Sequence, residues 1–254
     1  MKAWPYPKLI AHRGGGSLAP ENTLAAVKLG QSLGYRAHEF DVKLSKDGVA
    51  MLLHDETLER TTSGRGRACD FTWKQLSDLD AGAWHSEAFR GERLASFEAI
   101  ARQLVAHGDM ANVEIKPTPG FERETGAAVA REAARLWEHE KVPPLLSSFS
   151  FEALMAAKKA APQLPRGWLV GEFSDVDWER LKELEAVSLH TNHKKLDTAN
   201  IVRLHDRGYR VMLYTVNEPE TAEQLFAAGA DGLFTDNLEV FARRFPEKLV
   251  SETN

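Results

Sequence analysis

The sequence predicts an α/β protein, a (β/α)8 TIM-type barrel with an insertion after its second strand. Three observations lead there. Extended apolar runs alternate with helix-period segments from end to end, the pattern of a parallel sheet covered by helices. About eight such units fit within 254 residues, the size and count of this barrel. The run Gly14-Gly15-Gly16 lacks the G-x-G-x-x-G spacing of a doubly wound sheet, which is therefore the second choice. Residues 1–254 read as a single barrel domain, with the insertion at about 55–93.

The first unit pairs a strand at 8–12 with a helix at 22–33. Asn22-Thr23 precede the periodic residues Leu24, Val27 and Leu29, which is a helix N-cap signal because a side-chain oxygen accepts an orphan N–H of the first turn. Between strand and helix lie His12-Arg13, the three glycines and a loop through Pro20. A guanidinium, an imidazole and closely approachable backbone N–H groups suit an anionic ligand. A plain glycine-rich turn with surface His and Arg is the alternative. A strand at 37–44, the turn Lys46-Asp47-Gly48 and an extended run at 49–53 then form a hairpin.

Residues 55–93 are rich in Thr, Gly, Arg, Asp and Trp and carry one short helix, at 72–79. A stretch this long with so little regular structure reads as a functional insertion or lid. Alternation resumes with helices at 97–107, 121–138, 151–161, 176–185, 198–207, 219–228 and 238–245. The strands between them are expected at 110–116, 145–148, 167–170, 186–189, 210–216 and 232–235.

Composition bounds the function. Hydrophobic content of 43% and a net charge of −5 describe an ordinary globular chain, with no basic footprint for nucleic acid or a membrane surface. A single cysteine, Cys69, fits a reducing compartment. The N-terminus lacks the apolar core of a signal peptide and no stretch approaches a membrane span, so the expected location is the cytoplasm. Composition does not choose between monomer and homodimer.

Active sites of such barrels lie at the C-terminal ends of the strands. Those ends carry His12-Arg13, Glu39 and Asp41, Glu114 and Lys116, Ser147-Ser148, His190, Thr215 with Asn217, and Thr235-Asp236, while His54-Asp55 closes the hairpin. Period-two alternation puts Glu39 and Asp41 on one face, opposite Phe40, and Glu114 with Lys116 opposite Ile115. Three carboxylates gathered in a barrel cannot all ionise unless a cation neutralises them. With no cysteine among them, they suit a hard divalent ion, Mg²⁺ or Ca²⁺, rather than Zn²⁺. Neutralisation by Arg and Lys is the alternative.

His12 and His54 are placed to act as general acid and base in phosphoryl transfer. Arg13 and Lys116 could hold phosphate oxygens, one as a fork and the other as a point charge. His190 and His193 are secondary candidates for substrate contact, with a structural role the leading alternative. His85, His107, His139 and His205 read as solvated. Metal, cations and two histidines together favour a phosphoesterase over a barrel aldolase or glycosidase.

The segments AHRGGGSLAPENT, HEFDVKLSKDGVAMLLHDETLERTTSGRG, ANVEIKP, LLSSFS, YTVN and DGLFTD, in that order, resemble glycerophosphodiester phosphodiesterases, closely so the cytosolic bacterial UgpQ-type members. The resemblance spans nearly all of the chain. It implies divalent-metal-dependent hydrolysis of glycerophosphodiesters, such as glycerophosphoethanolamine or glycerophosphocholine, to sn-glycerol 3-phosphate and an alcohol. By position it implies Glu39, Asp41 and Glu114 as metal ligands, His12 and His54 as the acid–base pair, and Arg13 and Lys116 on the phosphate. Either the substrate's 2-hydroxyl or water would attack phosphorus. Many members read W-T-V-N where this chain has Tyr214-Thr215-Val216-Asn217, so Tyr214 would supply the aromatic face against glycerol and add a hydroxyl. Glu21 and Asn22 are explained by capping and loop anchoring.

Two other readings remain at this point. One is a non-catalytic barrel that binds phosphorylated glycerol, for which retention of both histidines is superfluous. The other is a phosphodiesterase acting on lysophospholipids at a membrane surface, which would call for an exposed apolar rim drawn from Trp73, Trp84 and Phe89.

Overall fold

The apolar run Leu9-Ile10-Ala11 forms strand β1 (Leu9–Ala11), buried throughout. It pairs in parallel with both β2 (Ala37–Leu44) and β9 (Gly232–Thr235), and that double pairing closes the sheet into a ring. The remaining barrel strands are β4 (Met110–Ile115), β5 (Leu145–Ser148), β6 (Arg166–Val170), β7 (Ser188–Asn192) and β8 (Arg210–Tyr214). They follow in chain order, each parallel to its neighbours. Strand β3 (Ala50–Leu52) lies outside the ring, antiparallel on β2, as the hairpin expected from the Asp-Gly turn. The structure is a computed structural model that describes residues 4–251.

The helices are α1 (Leu24–Ser32), α2 (Trp73–Leu76), α3 (Phe97–His107), α4 (Glu122–Leu136), α5 (Phe151–Ala160), α6 (Trp178–Glu183), α7 (Ala199–Asp206), α8 (Pro219–Ala227) and α9 (Leu238–Arg244). All but α2 follow the βα alternation. Outward residues of β2, Phe40 and Val42, pack with Phe97, Ile100 and Leu104 of α3. Leu189, Val211, Leu213 and Leu233 of β7 to β9 pack with Ile201, Leu225 and Phe241 of the covering helices. The floor of the barrel is plugged by Ile10, Met212 and Phe234. Gly232 makes room there, since a Cβ would lie 2.5 Å from the Met212 Cε.

Between β3 and α3 the insertion folds over its own small core of Leu53, Leu58, Ala68, Leu76, Ala81 and Leu94, packed against Met51. Its helix is a single turn, shorter than the 72–79 expected, because the Leu79 N–H turns back to the Leu76 carbonyl (3.1 Å). Trp73 joins this core and Phe89 is half-buried, leaving Trp84 as the exposed one of the three aromatics considered for a rim.

Strand β7 begins and ends later than expected. Glu185 adopts a left-handed backbone (φ 50°) and the Ala186 N–H caps α6 on the Leu181 carbonyl, so extended pairing starts only at Ser188. His190 is therefore inside the strand, not at its tip. It is fully buried in the barrel, its ring 5.6 Å from that of Phe234 and its Nε2 2.9 Å from the Ser188 hydroxyl. Gly167 on β6 admits it, since a Cβ there would lie 2.3 Å from Nε2.

Burial pushes the His190 imidazole down to about 3. The unfolded chain takes up a proton at this position near pH 6.5, so between pH 6.5 and 3 folding is opposed more strongly as pH falls. Denaturant titrations of His190→Gln should show the stability loss between pH 6 and 4.5 flattened by roughly 1.4 kcal/mol per pH unit relative to the parent. Equal slopes in the two proteins would show that His190 is not kept neutral by the fold.

Candidate active site

At the C-terminal end of the barrel, Glu39 and Asp41 project inward from β2 and Glu114 from β4, where Asp41 and Glu114 are register partners. One oxygen of each carboxylate lies within 4.8 Å of the others, and all three residues are buried. Such a cluster needs donors and cations around it, and the chain supplies both. The Arg13 N–H donates to Glu39 Oε2 (2.9 Å). Asn22 grips Asp41 twice, its Nδ2 donating to Oδ2 (2.9 Å) and its Oδ1 accepting from the Asp41 N–H (3.0 Å). Lys116 Nζ sits 3.0 Å from Glu114 Oε1 and 3.3 Å from Asp41 Oδ1.

The loop after β1 is bent to make these contacts. Arg13 and Asn22 both adopt left-handed backbones (φ 50° and 60°), and the Asn22 N–H closes the loop on the Arg13 carbonyl (3.0 Å). Left-handed geometry is uncommon outside glycine and persists where surrounding structure over-determines it. Gly16 belongs to the same turn: at φ 56° its missing Cβ would lie 2.3 Å from the Asp236 carbonyl oxygen. The helix cap is Thr23, whose side chain accepts from the Ala26 N–H. Asn22 is therefore not a cap; its amide is committed to Asp41.

The electrostatics follow from burial. Burial, with Asp41 close by, pushes the Glu39 carboxyl well above the usual range, and burial with Asp41 does the same to Glu114. Burial would raise Asp41 too, but Lys116 and Arg13 outweigh it and hold this carboxyl low. Two of the three therefore resist ionisation unless a cation joins them. Three hard oxygen donors converging on one point fit a divalent ion such as Mg²⁺ or Ca²⁺.

Both histidines are held through Nδ1 by a carboxylate. His12 Nδ1 is 2.6 Å from Asp236 Oδ1, which leaves Nε2 turned toward the carboxylates, 3.8 Å from Glu39 Oε2. Asn217 fixes Asp236, donating from Nδ2 to Oδ2 (3.1 Å) and accepting the Asp236 N–H (2.8 Å). His54 Nδ1 is 2.7 Å from Asp55 Oδ1. Lys43, buried beneath, donates to the His54 carbonyl (3.3 Å) and to that of Asp55. Burial disfavours the charge on each ring, with opposite outcomes. At His12 the Asp236 bond and Glu39 prevail and raise the imidazole above its ordinary value. At His54 burial, aided by Arg13 and Lys116, prevails and lowers it.

One residue of the insertion ties the two sides together. Arg60 donates from Nε to Asp55 Oδ2 (2.6 Å) and forks onto Glu21 with Nη1 and Nη2 (2.8 Å each). Glu21 in turn receives Arg13 Nη1 (2.8 Å).

His12, Arg13, Glu39, Asp41, His54, Glu114, Lys116 and Tyr214 all line one cavity of about 170 Å³, with Phe149 and Leu169 on its apolar wall. The eight residues expected from sequence thus converge. The Tyr214 hydroxyl donates to the Val170 carbonyl (2.7 Å), so the group that sets it apart from Trp is committed to the barrel wall, and the ring meets Phe149 edge-on. Ser147 and Ser148 are structural, the first accepting from Asn112 and the second donating to the Ile115 carbonyl. His85, read as solvated, instead lies 3.1 Å from the Ser17 carbonyl. Asp236, Asn217, Arg60 and the amide of Asn22 were not assigned these parts from sequence.

Residues 12–240 match the family model described as the glycerophosphoryl diester phosphodiesterase family. The chain is 34% identical to a glycerophosphodiester phosphodiesterase of Caldanaerobacter subterraneus subsp. tengcongensis, across 91% of this chain and 94% of that one. Among solved structures it superposes with a TM-score of 0.88 on a phosphodiesterase of Oleispira antarctica in complex with the product sn-glycerol-3-phosphate, at 33% identity over 95% of this chain and 97% of the other. A glycerophosphodiester phosphodiesterase of Agrobacterium tumefaciens gives 0.76, at 25% identity over 93% and 99%. The chain belongs to the glycerophosphoryl diester phosphodiesterase family.

Proposed function

We propose that the protein hydrolyses glycerophosphodiesters to sn-glycerol 3-phosphate and a free alcohol, with a divalent ion held by Glu39, Asp41 and Glu114 and with His12 and His54 as the acid–base pair. The observation that carries this reading is geometric: two imidazoles, each held through Nδ1 by a carboxylate (2.6 Å at His12, 2.7 Å at His54), line one cavity with a buried cluster of three carboxylates. Two imidazoles fixed by carboxylates at one site are placed to serve as its base and its acid.

The ion, when bound, supplies charge stabilisation to the phosphoryl oxygens. Arg13 and Lys116 offer the substrate phosphate a guanidinium and an ammonium. His54, neutral, takes the proton from the attacking oxygen, whether that of water or the substrate's 2-hydroxyl. As the new P–O bond forms and the ester P–O bond breaks, cationic His12 delivers its Nε2 proton to the departing alkoxide. If the first product is a cyclic phosphate, water opens it with the two roles exchanged. A barrel serving binding alone has no use for two oppositely poised imidazoles.

The first test is release of glycerol 3-phosphate from glycerophosphoethanolamine by metal-stripped protein. Activity should return with Mg²⁺ or Ca²⁺ and be abolished by Glu114→Ala, while His12→Ala and His54→Ala should each lose about 10²–10⁴-fold in kcat. A p-nitrophenyl leaving group should shrink the His12→Ala deficit and leave the His54→Ala deficit intact. Folded protein that binds glycerol 3-phosphate but turns over no diester would sink the enzymatic reading of this site.

The pH dependence has a definite sign. Turnover requires neutral His54, whose pKa is lowered, and protonated His12, whose pKa is raised. The acid limb of kcat/KM should therefore fall below the ordinary imidazole value of about 6.5 and the alkaline limb above it. Asp236→Asn should draw the alkaline limb toward lower pH.

Arg60 bonds to Asp55 and Glu21 rather than to a carboxylate of the central cluster, and so orients the residues behind His54 and Arg13. Arg60→Met should lower kcat by on the order of tenfold with unchanged affinity for the ion, as for other groups that orient a reacting residue through an intermediary. Parallel kinetics and ion titrations measure the two separately; loss of ion affinity would assign Arg60 to the carboxylate cluster instead.

A further inference from the structure

A phosphodiester has two arms on one phosphorus, and in-line displacement sends the entering and leaving oxygens to opposite sides. Two cavities meet at His12 and Arg13 to match. The first, described above, runs past Lys116 to Phe149 and Tyr214. The second, about 890 Å³, shares His12, Arg13 and Thr215 with it and opens toward Ser17, Asn217, Glu218 and Asp236, with Trp84 and His85 of the insertion as its outer wall.

The two compartments differ in their charged groups. The first holds Lys116 together with the carboxylate cluster. In the second, Glu21 and Asp236 are held by Arg13, Arg60, His12 and Asn217, and Glu218 adds an exposed carboxylate that, among the described residues, pairs with no cation. The second compartment also presents a fixed aromatic surface. Trp84 is 41% exposed, yet its Nε1 donates to the Ala81 carbonyl (2.8 Å) and its ring meets His85 edge-on at 5.6 Å. His85 in turn reaches the Ser17 carbonyl, which fastens this part of the insertion to the loop after β1.

An exposed indole and an unpaired carboxylate that line one compartment make a surface that attracts an organic cation. We propose that this second compartment receives the departing alcohol and selects one bearing an ammonium group, with Trp84 and Glu218 as the specificity-determining residues. The inference rests on the phosphodiesterase reading above. The inner side, about 170 Å³ against about 890 Å³ and walled by Phe149, Leu169 and Tyr214, is left to the smaller glycerol arm. His12, shared by both cavities, then stands where it can protonate the alcohol as it leaves toward Trp84.

The test is a ratio of kcat/KM values, which does not depend on the fraction of active protein. Glycerophosphocholine and glycerophosphoethanolamine are compared with glycerophosphoglycerol, whose headgroup is neutral. Trp84→Ala and Glu218→Lys should each lower the cationic-to-neutral ratio by about tenfold, and Trp84→Phe, which keeps a ring, by less than threefold. An unchanged ratio in both Trp84→Ala and Glu218→Lys would overturn the assignment. Absence of turnover of all three diesters by the parent protein would instead overturn the activity on which it rests.

Discussion

Three carboxylates buried together at one mouth of a closed barrel are the constraint on which the rest of this site depends. Unit charges within 4.8 Å of one another repel by roughly 3–4 kcal/mol per pair at an effective dielectric near 20. Parallel pairing of β2 with β4 forces Asp41 and Glu114 side by side, and period-two alternation adds Glu39 from the same strand. The surrounding chain is shaped to tolerate this. Arg13 accepts a left-handed backbone that aims its N–H at Glu39, Asn22 does likewise to reach Asp41, and Lys116 lies between Asp41 and Glu114. The strain sits in the loop that brings His12 and Arg13 to the cluster, so stability is surrendered where function is concentrated.

The two imidazoles show how one scaffold creates opposite proton affinities. Each binds a carboxylate through Nδ1, so the difference arises from what lies beyond. At His12 burial is outweighed by Asp236 and Glu39, whereas at His54 burial, with Arg13 and Lys116 adding to it, outweighs Asp41 and Asp55. The insertion participates directly. Through Arg60 it joins Asp55, behind His54, to Glu21, behind Arg13, and through His85 it is fastened to the loop after β1. A segment with little regular structure thus acts as a brace across the mouth.

The barrel and the inner ring of the site were legible because their signals are local and periodic. Alternation placed Glu39, Asp41, Glu114 and Lys116 on inward faces, and apolar runs located the strands. What escaped the sequence is whatever depends on contacts between distant segments. His12 and Asp236 lie 224 positions apart, and Arg60 meets Glu21 across 39, so no spacing rule connects them. Asn22 misled for a different reason: Asn and Thr both suit an N-cap, and only the left-handed turn at Asn22 reveals that Thr23 caps the helix. The late start of β7 depended on a left-handed Glu185, a conformation that residue type does not foretell, and it set His190 below the strand tip, where its buried ring borders the inner end of the cavity.

Charge balance gives an independent argument for the ion. Asp236 is matched by His12, and Glu21 and Asp55 by Arg60 together with the buried Lys43, which leaves Glu39, Asp41 and Glu114 against Arg13 and Lys116. Fully ionised, that inner group carries one net negative charge and repels a phosphodiester, itself a monoanion, within a chain whose overall charge is already −5. Protonating Glu39 or Glu114, as burial favours, removes the repulsion but also removes a ligand. A divalent ion would resolve the conflict: it would keep all three carboxylates ionised and turn the inner group from one negative charge to one positive, the complement of a phosphodiester. Arg13 and Lys116 alone cannot do this, because two cations against three ionised carboxylates leave the negative charge in place.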